Sequence, residues 1–379
     1  MMEPLQGSTH LCPINGGAEM KSGIHSIRGE KNLYISMFDE RSGMYLRTGI
    51  LEDGKDTGID PFMADFPELL DVGIMGSCIH GDSGLCQKAG IDCYQGGAKV
   101  HQKHMSFANF KRIVEECQGR TYQFALGGRG DPDQHPDFGE MLKFSRNHGI
   151  VPNFTTSGLG MTSDISRVCR EYCGAVAVSW YRSPYTYRAI DILLQAGVKT
   201  NVHYVLSGKT LKEAVRLLEE GGFPKGINAV VFLLYKPIGL GKKEHIIRDT
   251  AQCLEEFFSL IDRGEFPFKI GFDSCTVPGL LRYSKMTDSI SIDTCEGGRW
   301  SAYITPDMHM LPCSFDNQQM RWAVDLRSHS IEEAWNSQEF NRFRQNFQDA
   351  CPDCDKRGLC MGGCPICPDI VLCRQRTCG

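Results

Sequence analysis

Positive charge is not in excess in this chain of 379 residues: lysine and arginine total 41 against 46 aspartates and glutamates, a net charge of −5. That balance argues against a nucleic-acid binder, which normally carries a basic stripe or patch. Long apolar runs are also missing. The longest strongly apolar stretch lies around Ala229 to Tyr235, far short of the roughly 20 residues that cross a bilayer. Met1 to Gly17 has neither the basic start nor the apolar centre of a secretory signal. The expectation is a cytoplasmic, soluble protein with no nucleic-acid and no membrane partner.

Cysteine, by contrast, is abundant, at 18 residues. In a small secreted protein these would read as disulfides. In a long chain without a signal, clustered cysteines read as metal ligands or catalytic groups. Cys78, Cys86 and Cys93 lie together, and eight more run from Cys313 to Cys378.

Residues 1–69 show no long helical period and read as an N-terminal segment with a small β-hairpin: alternation over Leu33–Phe38, a turn at Arg41-Ser42-Gly43, then Met44-Tyr45-Leu46. From residue 70 the pattern is regular. Strands are expected at Leu70–Met75, Tyr122–Leu126, Ile150–Thr155, Ala175–Trp180, Thr200–Leu206 and Ala229–Leu234. Helices alternate with them at 106–118, 137–148, 163–173, 185–196, 210–221 and 244–263. Gly119, Gly149, Gly174, Gly197 and Gly221 fit left-handed helix stops, and Thr210 to Glu213 fits a capping box. Strand–helix alternation implies right-handed βαβ units and a parallel sheet. The expected fold class is α/β, a partial (βα)6 barrel over 70–265, with chemistry at the carboxyl ends of its strands. Residues 266–379 lose the period, hold ten of the cysteines and one clear helix (Ile331 to Gln348), and read as a small cysteine-rich domain held by metal.

The first strand delivers the chain into Gly76-Ser77-Cys78, followed by Cys86 and Cys93. Three thiolates on one loop can hold three irons of a [4Fe–4S] cube and leave the fourth iron open for a ligand. His80 is a possible fourth ligand, and a zinc knuckle or three unrelated thiols are the alternatives. Strand two ends in Gly127-Gly128-Arg129-Gly130-Asp131-Pro132. Glycine there lets a ligand approach the backbone, and Asp131 can accept from an ammonium group. Thr155, Thr156 and Ser157 end strand three and Ser179 ends strand four, placing hydroxyls in the same mouth.

These elements resemble the radical S-adenosylmethionine (SAM) enzymes. In that family the open iron binds the amino and carboxylate groups of SAM, and one electron cleaves it to a 5′-deoxyadenosyl radical. The resemblance implies SAM contacts at Gly127, Gly128, Asp131, Thr156 and Ser179, with Tyr94 stacked near the adenine. The chain departs from the usual CxxxCxxC loop by having seven and six residues between its cysteines. Its glycine turn carries one extra residue, with Asp131 where Glu is usual.

Cys351-x2-Cys354-x5-Cys360-x3-Cys364 is the most specific spacing in the chain, since four thiolates this close can wrap a metal without a preformed core. With Tyr303–Asp307, Leu311–Ser314 and Ile331–Trp335, it resembles the SPASM extension of radical SAM enzymes, which usually carries two auxiliary [4Fe–4S] clusters. The family usually has a glycine after Pro306-Asp307, where this chain has Met308. The resemblance assigns Cys275, Cys295, Cys313 and Cys364 to one auxiliary cluster, and Cys351, Cys354, Cys360 and a late cysteine to the other. Cys373 is preferred for that last place, with Cys367 and Cys378 as alternatives. Spacing alone does not separate zinc from iron.

Cys117, Cys169, Cys173 and Cys253 read as core thiols on helices, and His203 on strand five faces either the core or the barrel mouth, with the core preferred. Arg129 and Arg182 are either surface residues or guides for an acidic substrate. What the resemblance implies overall is a radical SAM enzyme with three clusters, reduced by a flavodoxin or ferredoxin, that matures a ribosomally synthesised peptide by a crosslink, a thioether or another modification. The alternatives are a sulfatase-maturase-like side-chain oxidase, a small-molecule radical SAM enzyme, and, outside enzymes, a zinc-stabilised binding protein.

Overall fold

The computed structural model describes residues 23–88, 90–97, 99–248, 251–285 and 292–373. Three antiparallel strands open it: β1 (Ile24–Gly29), β2 (Tyr34–Asp39) and β3 (Met44–Arg47). The hairpin read from the sequence is therefore a three-stranded meander. Strand β2 alternates as a half-buried strand should, burying Tyr34, Ser36 and Phe38. At its end the Asp39 carboxylate accepts from the amides of Arg41 and Ser42, and Gly43 takes the left-handed conformation that completes the turn. Buried Glu68 accepts from Tyr34 Oη, Ser36 Oγ and Tyr45 Oη at 2.7, 2.8 and 2.7 Å, tying the meander to the first barrel strand. A two-residue hairpin, β4 (Leu51–Glu52) with β5 (Lys55–Asp56), follows.

Seven strands then run parallel: β6 (Leu69–Met75), β7 (Gln123–Gly128), β8 (Val151–Thr156), β9 (Val176–Ser179), β10 (Thr200–Leu206), β11 (Ala229–Leu234) and β12 (Lys269–Phe272). They lie side by side in chain order, the arrangement successive right-handed βα units produce. Six of them match the sequence expectation. The seventh, β12, is only four residues long and contains Gly271, too little pattern to identify beforehand. Beyond the boundary expected near 265, β13 (Ser301–Ile304) pairs in parallel with β6, and β14 (His309–Leu311) and β15 (Val324–Asp325) extend the sheet antiparallel to ten strands. One sheet thus runs through both cysteine-bearing regions.

Five of the six helices sit where the periodicity placed them, while the one expected over 244–263 is a 3-10 turn at Lys243–His245 and a helix over Ala251–Arg263. Three begin behind serine or threonine caps, where Ser106, Thr162 and Ser183 each accept from a backbone amide three residues on. Two local expectations fail. Thr210 forms no cap, because its hydroxyl accepts from Ser207 N and donates to Val205 O while Glu213 pairs with Arg182. Gly174 is not left-handed; a Cβ there would meet Val151 Cγ1 at 2.6 Å, so close packing excludes a side chain. The long C-terminal helix is two, Ile331–Trp335 and Gln338–Gln348, because Ser337 caps a second start. Core residues such as Leu70, Val72, Ile74, Phe110, Ile113 and Phe124 fill the layer between sheet and helices.

The other face of the sheet looks into the barrel. Near its amino end, Gln123, Asn153, Asn201, Asn228 and His203 line a cavity of about 430 Å³ closed by Glu40, Ser42 and Gly43 of the meander. His203 is therefore a lumen residue rather than a core one. Burial pushes its imidazole down to about 4, and Nδ1 lies 3.2 Å from Thr155 Oγ1.

Candidate functional site

At the carboxyl end of β6 the backbone packs tightly: a Cβ on Gly76 would meet Lys103 O at 2.3 Å. Cys78 then caps the short helix Ile79–Ser83, its Sγ accepting from Gly81 N at 3.4 Å. Cys86 lies on the next turn of helix and Cys93 beyond it. The three return to one place. A Cβ on Gly97 would stand 3.7 Å from Cys78 Sγ and 3.8 Å from Cys93 Sγ, and the Cys86 thiol, pushed up to about 12 by burial, also feels Cys78 and Cys93.

The glycine turn after β7 clasps this loop. Gly128 and Gly130 have positive φ, and Cβ atoms there would strike Met75 O at 2.4 Å and Ser77 O at 2.7 Å. Their bareness serves the cysteine loop, whereas Gly127 faces open space. Asp131 is held by both oxygens: Oδ1 accepts from Ser157 N at 2.8 Å, and Oδ2 lies 2.5 Å from Ser157 Oγ and 3.1 Å from His80 Nε2. Ser157 Oγ also lies 2.5 Å from His80 Nε2. His80 thus spends that nitrogen on Asp131 and Ser157. Thr156 is occupied in its own turn, accepting from Gly158 N at 3.0 Å. Ser179 sits at the end of β9 in register with His203. Tyr94 packs its ring on Phe315.

Neither arginine considered for an acidic substrate is available. Arg129 is buried and donates to Gln95 O and Gln102 Oε1, clamping the loop, and Arg182 pairs with Glu213.

Two further thiol groups lie in the C-terminal region. Cys275, on a short turn after β12, hydrogen-bonds the Cys364 side chain, and Cys364 also pairs with Cys367. Burial raises the Cys313 thiol, with Cys295, Cys364 and Cys275 adding to the shift. Gly297 packs against both Cys295 and Cys313. The second group, Cys351, Cys354, Cys360 and Cys373, lines a cavity of about 290 Å³. Cys367 lies with the first group, away from that cavity, and Cys378 is outside the described residues.

The family profile for the iron–sulfur cluster-binding SPASM domain matches residues 295–355. Residues 295–355 are thus similar to that domain. Mycofactocin maturase MftC of Mycobacterium tuberculosis is 25% identical over 81 residues, and the match spans 21% of this chain and 21% of MftC. Among solved structures, Streptococcus suis SuiB bound to precursor peptide SuiA aligns with TM-score 0.65 at 12% identity, over 91% of this chain and 95% of SuiB. Native anSMEcpe with bound AdoMet aligns with TM-score 0.53 at 15% identity, over 79% and 90%. At such identities these likenesses concern the fold alone.

The chemistry of the SPASM thiols suits clusters. Every described cysteine is a free thiol, and burial together with neighbouring thiols drives Cys295 to about 12 and raises Cys360. Buried thiolates need positive charge close by, which bound metal supplies. Among the described residues no group of three or more His, Cys, Asp or Glu side chains closes on a single ion.

Two residues near the site, Asp71 and Lys236, were not among the sequence candidates. Ser157 was one hydroxyl among several until the fold put it on Asp131. Asp71 shares the lumen-facing side of β6 with its partner Ala125, and burial pushes its carboxyl up to about 7. The period-2 alternation of a lumen-facing strand was the signal for it. Lys236 follows β11 and carried no signal. Cys117, Cys169, Cys173 and Cys253 pack into or against the core.

Proposed function

We propose that this chain is a radical SAM enzyme that cleaves SAM to a 5′-deoxyadenosyl radical and modifies a ribosomally synthesised peptide. Residues 70–265 with the added strand β12 (Lys269–Phe272) would form the catalytic barrel, the rest of 266–379 the cluster-binding extension, and 1–69 an N-terminal segment whose meander β1 to β3 covers the amino end of the barrel. The observation that carries the reading is the return of Cys78, Cys86 and Cys93 to one place beside the Asp131–Ser157 pair, at the carboxyl ends of parallel strands.

Three cysteines there would hold a [4Fe–4S] cluster with one open iron, and the two SPASM thiol groups would hold auxiliary clusters. When bound, the first cluster would supply the single electron that SAM cleavage needs, and the auxiliary clusters would carry electrons to or from the substrate or bind it. The chain's own residues do the rest. Asp131 offers a carboxylate to the SAM ammonium group, Gly127 leaves room for the ligand, and Thr156, Ser179 and Tyr94 complete the cofactor-binding surface. Gly128, Gly130 and Arg129 fix the loop so that the cysteines converge. The buried walls exclude water and oxygen from the radical.

A peptide substrate is favoured because the fold likeness includes SuiB bound to precursor peptide SuiA. Reduction by a flavodoxin or ferredoxin and a cytoplasmic location complete the proposal; among the described residues no helix is long and apolar enough to cross a membrane. The experiment is incubation of the reconstituted protein with SAM, dithionite and any short peptides encoded near its gene. A mass change in the peptide supports the reading. SAM cleavage without modification of any neighbouring peptide would move the substrate to a small molecule.

A further inference from the structure

The strongest unassigned feature is a buried cation beside the first SPASM thiol group. Lys236 stands two residues beyond β11, is 6% exposed, and forms an ion pair with Asp273. Its ammonium also lies 4.5 Å from the centroid of the Phe315 ring, and Phe315 is two residues after Cys313. Asp273 is fixed in turn: it accepts from Leu234 N at 3.2 Å and from Thr276 Oγ1 at 2.8 Å. That hydroxyl contact closes the turn carrying Cys275. The lysine is thus wedged between the Cys275 turn and the Cys313 turn, and its charge acts on Cys275, Cys364 and Cys367.

Burying a lysine ammonium is costly unless it is paired. Asp273 provides one partner, and the thiols on the other side provide a second source of negative charge. A four-iron cube held by four thiolates is an anion, and each added electron makes it more negative. A fixed cation in a low-dielectric wall favours the reduced form and raises the potential.

We propose that Lys236 raises the reduction potential of the cluster held by Cys275, Cys295, Cys313 and Cys364 above the value it would have without this cation. This rests on the cluster reading above and adds to it a specific electrostatic lever. Asp273 positions the lever, and Phe315 covers it.

The test is an EPR-monitored titration with dithionite of the anaerobically reconstituted full chain, wild type against K236M, K236R and D273N. K236M should load the same iron and sulfide and shift one auxiliary cluster to a more negative potential, leaving the other two clusters unmoved. K236R, which keeps the charge, should stay near wild type. Unchanged potentials in K236M at full iron, or an equal shift in K236R, overturn the proposal. If K236M loses iron, D273N is compared with the K236M/D273N double variant, both lacking the carboxylate: the same cluster should be more negative in the double variant, and equal potentials overturn the proposal. Wild-type protein without iron at these cysteines would instead refute the cluster reading, and metal analysis distinguishes the two failures.

Discussion

Tyr94 stacks on Phe315 with ring centroids 4.7 Å apart and planes inclined by 47°, joining the residue after Cys93 to the turn after Cys313. The loop is pinned twice more nearby, by Asn317 Nδ2 donating to Gln95 Oε1 at 2.5 Å and by Leu240 N donating to Cys93 O at 2.9 Å. The first cysteine loop is therefore built against the SPASM domain rather than standing free. Replacing Phe315 with alanine should cost about 2 kcal/mol, from lost burial and ring contact. An anaerobic thermal melt showing no loss in F315A would contradict this packing.

Asp131 and His80 make opposite predictions for cluster and cofactor. D131N should keep full iron yet weaken SAM binding at least tenfold, because the ammonium loses a charged acceptor. H80A should also keep full iron, since His80 uses Nε2 on Asp131 and Ser157. Loss of about four irons in H80A would make His80 a ligand and the loop a four-ligand site.

The last ligand of the second auxiliary group separates Cys373 from Cys367. Cys373 lines the cavity with Cys351, Cys354 and Cys360, so C373S should lose about four irons relative to wild type while C367S keeps them. The reverse pattern, read by iron and sulfide content, would exchange the two assignments.

The lumen carboxyl of Asp71 gives a pH signature. Burial raises it from 3.8 to about 7, so the folded state holds this proton more tightly than the unfolded chain. The stability it contributes is full below the unfolded value and is lost as pH rises through about 7. D71N should remove that slope and leave the chain more stable than wild type at pH above the window, by roughly 2 kcal/mol. Denaturant melts of the two proteins across this range check it.

The parallel sheet was legible because apolar strands β6 to β11 alternate with amphipathic helices, a pattern set by the chemistry of burial alone. The cysteine sets were legible because thiols this dense have few other uses. What the sequence could not display is contact between distant segments. Strand β13 joins β6 across more than 200 residues, Ser157 finds Asp131, and Lys236 finds Asp273. Such pairings follow from the folded sheet and have no local pattern. Thr210 failed as a cap for a related reason, since Glu213 was taken by Arg182 and Tyr204 from neighbouring elements.

The most direct test of the central claim is formation of 5′-deoxyadenosine from SAM by the anaerobically reconstituted, dithionite-reduced chain, measured by liquid chromatography beside C86S. The account predicts product from the wild type and none from C86S, with the SPASM clusters intact in both. A wild-type protein that carries all three clusters yet forms no 5′-deoxyadenosine would contradict it.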